Sequence, residues 1–453
     1  MLGSGLQGYA NWTVDAFLVA LLLFVGGLLV VGLLFSGRRP EMRAFMLTYG
    51  VCVFAGGLAQ CYSLAVFHNP QSTIDAVEIF FPNISSQPPF TTIANMPHIN
   101  APLAILIWEQ LYKLTWWLGL NFGPYTGVML NSFVMGLTGS ITVRTARELF
   151  ADDAWRLLRV RLLFAFCGLF ILFGAVLLRD CFTTFFNALV IWGIIRWLCR
   201  PTSTSLLLAG VLTGISVAAI AYLRFESIVL FGQYWFLAFL FWFTRRSLNI
   251  ARLFAMVTLL LALLFGTSYL ISYVQTSRMF RYDRTQAYAE ASAAASREDS
   301  LAMQLIVRQP MPIRLVLGSG SMMIFPIPLW SNFKSGASEY HLIKGYHGIY
   351  QVFVFPLVFA GFIMAIRTFF KRRQRLTPLL FLAIYLLMNT LAVVATSLEQ
   401  RHLAQFMPAM MILAAVPDTR ERDTRKRVRI IATSWFAIVF LVHLAWTIAT
   451  MGR

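Results

Sequence analysis

Windows of about twenty apolar residues, the length a helix needs to cross a ~30 Å hydrocarbon core, recur along almost the whole chain. A backbone in hydrocarbon must satisfy its hydrogen bonds internally, and a helix does so within a single segment. Twelve spans are expected: 13–36, 44–67, 125–143, 162–178, 181–198, 204–222, 227–244, 253–275, 347–366, 376–397, 403–416 and 430–450, the eleventh being the shortest. Composition agrees, with 58% hydrophobic and 12% charged residues in 453 and a mean hydropathy of +0.70. These values lie far outside the range of soluble domains. The expected fold class is an all-α polytopic membrane protein with two long extracytoplasmic loops, 68–124 and 276–346. The first span is expected to be retained, because Arg38 and Arg39 follow its apolar run and no charged region precedes it.

Orientation follows from Lys and Arg, which are retained on the cytoplasmic side. Segments 36–43, 144–161, 196–203, 245–252, 367–375 and 417–429 hold 24 of the 37 basic residues and only 7 of the 19 acids, so they are expected inside and both termini outside. The net charge of +18 and the pI near 10.2 therefore report topology rather than nucleic-acid binding. Runs such as 371–375 and Arg425-Lys426-Arg427 suit anionic lipid head groups, and the inner loops read as mostly unpaired positive charge. The cysteines Cys52, Cys61, Cys167, Cys181 and Cys199 are scattered without a CxxC pair, which indicates neither a zinc site nor a disulfide framework. Asn11-Trp12-Thr13 and Asn83-Ile84-Ser85 match the N-glycosylation pattern, which matters only in a eukaryotic host. The short loops fit a bacterial protein.

The outer turns carry a different chemistry. Arg179-Asp180 lies between spans four and five, Arg224-Phe225-Glu226 between six and seven, and Glu399-Gln400-Arg401-His402 between ten and eleven. One such pair needs no more explanation than helix termination. Three on one face point to a convergent polar cluster, since ionisable groups at membrane depth are costly and mark function. Arg offers a planar fork suited to phosphate, and a neighbouring carboxylate can orient that fork or act as a base.

The first outer loop has no Lys or Arg from His68 to Tyr112 but contains Asp75, Glu78 and Glu109. Its end, 102–120, reads as a helix along the interface, with Trp108, Tyr112, Trp116 and Trp117 as an aromatic belt. The second loop opens with Arg278, Arg281 and Arg284 at three-residue spacing, a basic stripe that also carries Tyr282 and Asp283. Residues 313–330 are too rich in Gly and Pro for a standard span and read as re-entrant or interfacial. Lys334, His341, Lys344 and His347 add donors before and at span nine, whereas His443 reads as a packed core histidine. No Gly-rich phosphate loop or HExxH motif is present.

In order and on one face, Ser72-Thr73-Ile74-Asp75, Leu178-Arg179-Asp180-Cys181, the stretch from Gly214 to Leu223-Arg224-Phe225-Glu226, and Glu399-Gln400-Arg401-His402 with Pro408 resemble the GT-C superfamily of integral-membrane glycosyltransferases. The last two are similar to the "tRpe" and "RY...P" segments of bacterial members. The resemblance covers residues 44–416 and divides the chain into an additional N-terminal helix (1–43), a GT-C-like core (44–275), an extracytoplasmic loop (276–346) and C-terminal helices (347–453). Two features depart from the pattern: the additional first span, and the absence beside Asp75 of the acid and tyrosine found in the lipid-A-type and mannosyl branches.

The resemblance implies inverting hexosyl or pentosyl transfer from a polyprenyl-phosphate or polyprenyl-diphosphate donor to a glycan or lipid acceptor. The periplasmic face of a bacterial inner membrane is the implied place, in cell-surface polysaccharide biosynthesis. Asp75 would be the general base, with Glu78 its alternate. Asp180 would orient the acceptor or, with Asp75, hold a divalent cation such as Mg or Mn. Arg224, Arg278, Arg281 and Arg401 would stabilise the leaving phosphate, and Arg179, Glu226, Arg284, Glu399 and His402 would complete the substrate site. The alternatives are a polysaccharide polymerase or O-antigen-ligase-like enzyme, a lipid-linked-glycan flippase or transporter, and a non-catalytic scaffold.

Overall fold

The structure, a computed structural model, describes residues 2–35, 39–69, 76, 80, 101–224, 227–244, 306, 309–324, 326–327, 329–371, 377–396 and 400–451. The eighth span expected from the sequence, 253–275, lies outside them. Among the described residues no strand occurs, and the helices are α1 (Leu2–Leu34), α2 (Arg39–Phe67), α3 (Pro102–Trp117), α4 (Pro124–Phe150), α5 (Ala154–Ala165), α6 (Gly168–Ala175), α7 (Asp180–Cys199), α8 (Ser203–Leu223), α9 (Ile228–Thr244), α10 (Met311–Ile324), α11 (Glu339–Lys371), α12 (Pro378–Thr396), α13 (Met407–Ala415) and α14 (Arg422–Met451). Seven of these, α1, α2, α4, α7, α8, α11 and α14, are long and apolar enough to cross a membrane, and an eighth crossing results if α5 and α6 count as one. The chain is an integral membrane protein by this measure, with fewer full-length spans among the described residues than the twelve expected.

Helix α4 is the centre of the bundle. Its small residues let neighbours approach closely: a methyl group on Gly136 would lie 2.9 Å from the Phe45 ring, and one on Gly139 2.7 Å from Thr48 Oγ1 of α2. Thr138, Thr142 and Thr145 return their hydroxyls to carbonyls one turn back, so they bring no unmet donor into the core. One apolar core gathers Phe45, Tyr49, Trp108, Tyr125, Phe170 and Phe173 around α4. A second gathers Trp197, Tyr234, Phe241, Phe381, Tyr385 and Phe406 between α7, α9, α12 and α13.

Three expectations change. Span 162–178 is not one helix: α5 and α6 meet at a 53° bend, and 176–178 is not helical. That buried stretch needs partners for its carbonyls, and Asn131 of α4 supplies them, its Nδ2 donating to Val176 O (2.9 Å) and Leu178 O (3.0 Å). Asn131 Oδ1 in turn accepts from Trp108 Nε1 at 2.8 Å. Span 403–416 is likewise not a standard crossing: it is a 3₁₀ segment, Gln400–Phe406, followed by the nine-residue α13. In the third case, two of the four belt aromatics, Trp108 and Tyr112, are fully buried core residues, while Trp116 and Trp117 remain exposed.

Charge separates to two ends. At one, buried Glu41 pairs with Arg144 (3.4 Å) and Arg147 (3.2 Å), and Glu148 with Arg144 (3.4 Å) and Arg200 (3.3 Å). Arg420 reaches Asp153 at 3.5 Å, and Arg159 donates to Pro417 O and Thr419 Oγ1 at 2.6 Å each. Four of the six basic segments thus meet, and the arginines named here have partners, Arg144 and Arg147 nearly buried and Arg200 and Arg420 exposed. The other end lies at the start of α7, which at 20 residues spans about 30 Å, a hydrocarbon thickness.

Candidate functional site

Arg179 caps α7, and Asp180 is its first helical residue. A carboxylate there is favoured by the positive end of the helix dipole. Only three residues separate α7 from α8, so the end of α8 returns to the start of α7. Arg224, which caps the end of α8 through its N–H to Ile220 O, therefore lies beside Asp180, with Nη1 3.6 Å from Asp180 Oδ1. Both side chains are nearly buried, about a tenth exposed each (13% and 10%). The carboxylate of one outer turn thus pairs with the arginine of the next, a partnership between turns that the sequence motifs present separately.

The third turn joins them. His402 is buried, and its imidazole is held in the neutral form, well below the ordinary histidine range, first by burial and then by the positive charges of Arg224, Arg401, Arg179 and Lys344. Five sequence-predicted site residues, Arg179, Asp180, Arg224, Arg401 and His402, are therefore brought together. Lys344 of α11, noted in the sequence as a donor but not placed in the site, joins them; its ammonium also lies 5.5 Å from the Tyr340 ring centroid. Asp75, Glu78, Glu226, Arg278, Arg281, Arg284 and Glu399 lie outside the described residues.

The other donors fall elsewhere. His341 is exposed beside Ser338 Oγ (2.7 Å), and Lys334 is exposed. His347 is buried 3.9 Å from Cys167 Sγ, and Gly168 of α6 crosses its backbone so closely that an added methyl would meet His347 Cα at 2.6 Å. His443 is buried, 6.4 Å from the Trp330 ring. Glu109 is buried and paired with Lys113 at 2.8 Å, one turn along α3.

The segment carrying Arg401 and His402 is fixed at both ends by amide side chains. Gln400 Nε2 donates to Gln351 Oε1 of α11 and to Met322 O of α10 (3.1 Å). Gln405 Oε1 accepts from Asn187 Nδ2 of α7 at 3.2 Å. Asn187 continues a polar row on α7 that begins with Asp180, Thr183 and Thr184, both threonines donating to Asp180 O (2.9 and 2.8 Å). Beyond it the Tyr234 hydroxyl lies 3.4 Å from Asn187 Oδ1 and 3.1 Å from Asn389 Oδ1.

Chemically, converging guanidinium groups and an ammonium around a neutral imidazole form an environment for an anion. The same charges repel a divalent cation, so the described surroundings of Asp180 do not fit Mg or Mn. Among the described residues no group of three or more His, Cys, Asp or Glu converges to hold a metal. No family model matches the chain, and no curated protein matches it.

Proposed function

We propose that the protein is a membrane glycosyltransferase that moves a sugar from a polyprenyl-phosphate or polyprenyl-diphosphate donor to a glycan or lipid acceptor. The observation that carries this reading is the convergence of Arg179, Arg224, Lys344 and Arg401 on buried His402, beside Asp180. The acceptor hydroxyl oxygen attacks the anomeric carbon, and the bond from that carbon to the phosphate oxygen breaks. The phosphate leaves with the bonding electrons, and the hydroxyl proton passes to a carboxylate, assigned to Asp75. Positive groups placed where the leaving phosphate gains charge lower the barrier. Asp180 orients Arg224 in this scheme and keeps the cluster from repelling itself when no anion is bound.

The reaction belongs on the periplasmic face of a bacterial inner membrane, because the cluster lies at the end of the bundle away from the basic segments. The same cations also suit a polymerase or ligase acting on lipid-linked glycan, which shares the leaving group. A lipid-linked sugar transfer assay on Asp75→Asn, Asp180→Asn and Arg224→Ala tests the proposal. Each variant should lose transfer, and full activity in both aspartate variants overturns the assignment.

A further inference from the structure

Apart from Lys344, which α11 carries, the charged groups of the site sit at ends of helices and on a 3₁₀ turn. Arg401 and His402 in particular belong to the 3₁₀ segment Gln400–Phe406. A 3₁₀ turn has poorer hydrogen-bond geometry than an α-helix and needs outside support to hold one conformation. This one receives it from two glutamines, both buried, at its first and sixth residues. Gln400 ties it to α11 and α10, and Gln405 ties it to Asn187, seven residues along α7 from Asp180 and on the same helical face. The helix that presents Asp180 thereby also anchors the turn that presents Arg401 and His402.

We propose that Gln400 and Gln405, with Gln351 and Asn187 as their partners, are positioning residues: an amide clamp that sets Arg401 and His402 against Arg224 and Asp180. The inference rests on the reading of that cluster as a phosphate site. Neither glutamine touches the ligand in this account; each acts through the turn it holds.

The test compares the full-length wild type with Gln405→Met and Gln400→Met, which keep side-chain length and remove the hydrogen bonds, and with Asn187→Leu, which removes the partner. Hydrogen–deuterium exchange over 400–406 needs no ligand. It should rise about tenfold or more in each variant, as expected for a segment that has lost its tertiary ties, while exchange in α4 stays unchanged. Gln405→Glu, whose carboxylate still accepts from Asn187, should restore protection. Farnesyl diphosphate is the binding probe. Its affinity should fall about fivefold in Gln405→Met, the loss of one net hydrogen bond. On an Arg401→Ala background Gln405→Met should cause no further loss, because its effect passes through Arg401 and its turn.

Unchanged exchange over 400–406, or full additivity with Arg401→Ala, overturns the clamp. If exchange rises as expected but the wild type binds no farnesyl diphosphate, the clamp is upheld and the phosphate reading of the site is what fails.

Discussion

Removing the charge of Asp180 should destabilise the protein more than removing that of Arg224, although each change breaks the same pair. At the observed 3.6 Å, the gross Coulomb attraction at an effective dielectric constant of about 20 is about 5 kcal/mol. Desolvation offsets much of it, and loss of one partner from a buried pair costs about 3 to 5 kcal/mol when the other charge is left behind. Asp180→Asn leaves Arg224 without its carboxylate as one of the four cations, with Arg179, Arg401 and Lys344, that act on His402, which puts it at the upper end. Arg224→Gln removes one of those cations and leaves Asp180 in the first turn of α7 next to Arg179, at the positive end of the helix dipole, so its cost should be about 1 to 2 kcal/mol, close to that of lost hydrogen bonding. The double variant should cost less than the sum of the two. Chemical denaturation in detergent micelles measures all three. Equal costs for the single variants, or additivity within about 0.5 kcal/mol, would refute the reasoning, because Asp180 and Arg224 would then not be coupled as a nearly buried pair.

Further outcomes follow from the same geometry. Because His402 stays neutral in the native state while an unfolded histidine takes up a proton below about pH 6.5, the native state loses about 1.4 kcal/mol per pH unit below that point. Melting curves at pH 7.5 and 5.5 should show this loss in the wild type in excess of that in His402→Gln; identical pH dependence in the two proteins would contradict it. Asn131→Leu takes one of two donors from each of the buried carbonyls of Val176 and Leu178, which keep the Leu178 N–H and the Cys181 thiol, and strips the Trp108 indole of its partner, so it should cost about 1 to 3 kcal/mol for that stranded group; denaturant midpoints check it. Glu41→Gln leaves Arg144 paired with Glu148 and Arg147 with Asp152, so it should cost about 1 kcal/mol, near the loss of ordinary hydrogen bonding, without changing probe binding at the distant site. Gly168→Ala drives a methyl group into the backbone of His347 and should lower stability by about 2 kcal/mol or more, read from the melting temperature.

The membrane-spanning helices were legible because a long apolar window is a direct record of burial in lipid. Spans 44–67, 181–198 and 204–222 fall within α2, α7 and α8. The break inside 162–178 was not legible, since an apolar window does not show where the hydrogen-bond ladder stops. Its sign is Asn131, a lone amide in another span that serves those carbonyls from 45 and 47 residues away. The 3₁₀ turn was hidden for a similar reason, its supports Gln400 and Gln405 bonding to helices distant in sequence.

The charged turns were visible as separate motifs, and hairpin geometry alone accounts for Asp180 meeting Arg224. Lys344 escaped placement in the site because the sequence puts it in the long outer loop 276–346, whereas α11 already begins at Glu339 and carries it. The inner arginines read as mostly unpaired because Glu41 lies 103 and 106 residues from Arg144 and Arg147 in the chain, whereas the pair of Arg144 with Glu148, one turn along α4, was legible locally.

The central claim is that the cations around His402 receive the phosphate of a lipid-linked sugar. Equilibrium titration of the purified protein with a polyprenyl diphosphate, wild type against Arg224→Ala and Arg401→Ala at low and high salt, tests it most directly. The account predicts saturable binding by the wild type, weakened at least about tenfold by either substitution and only partly screened by salt, as expected for nearly buried charges. Equal affinity in all three proteins, or binding abolished by modest salt, would contradict it.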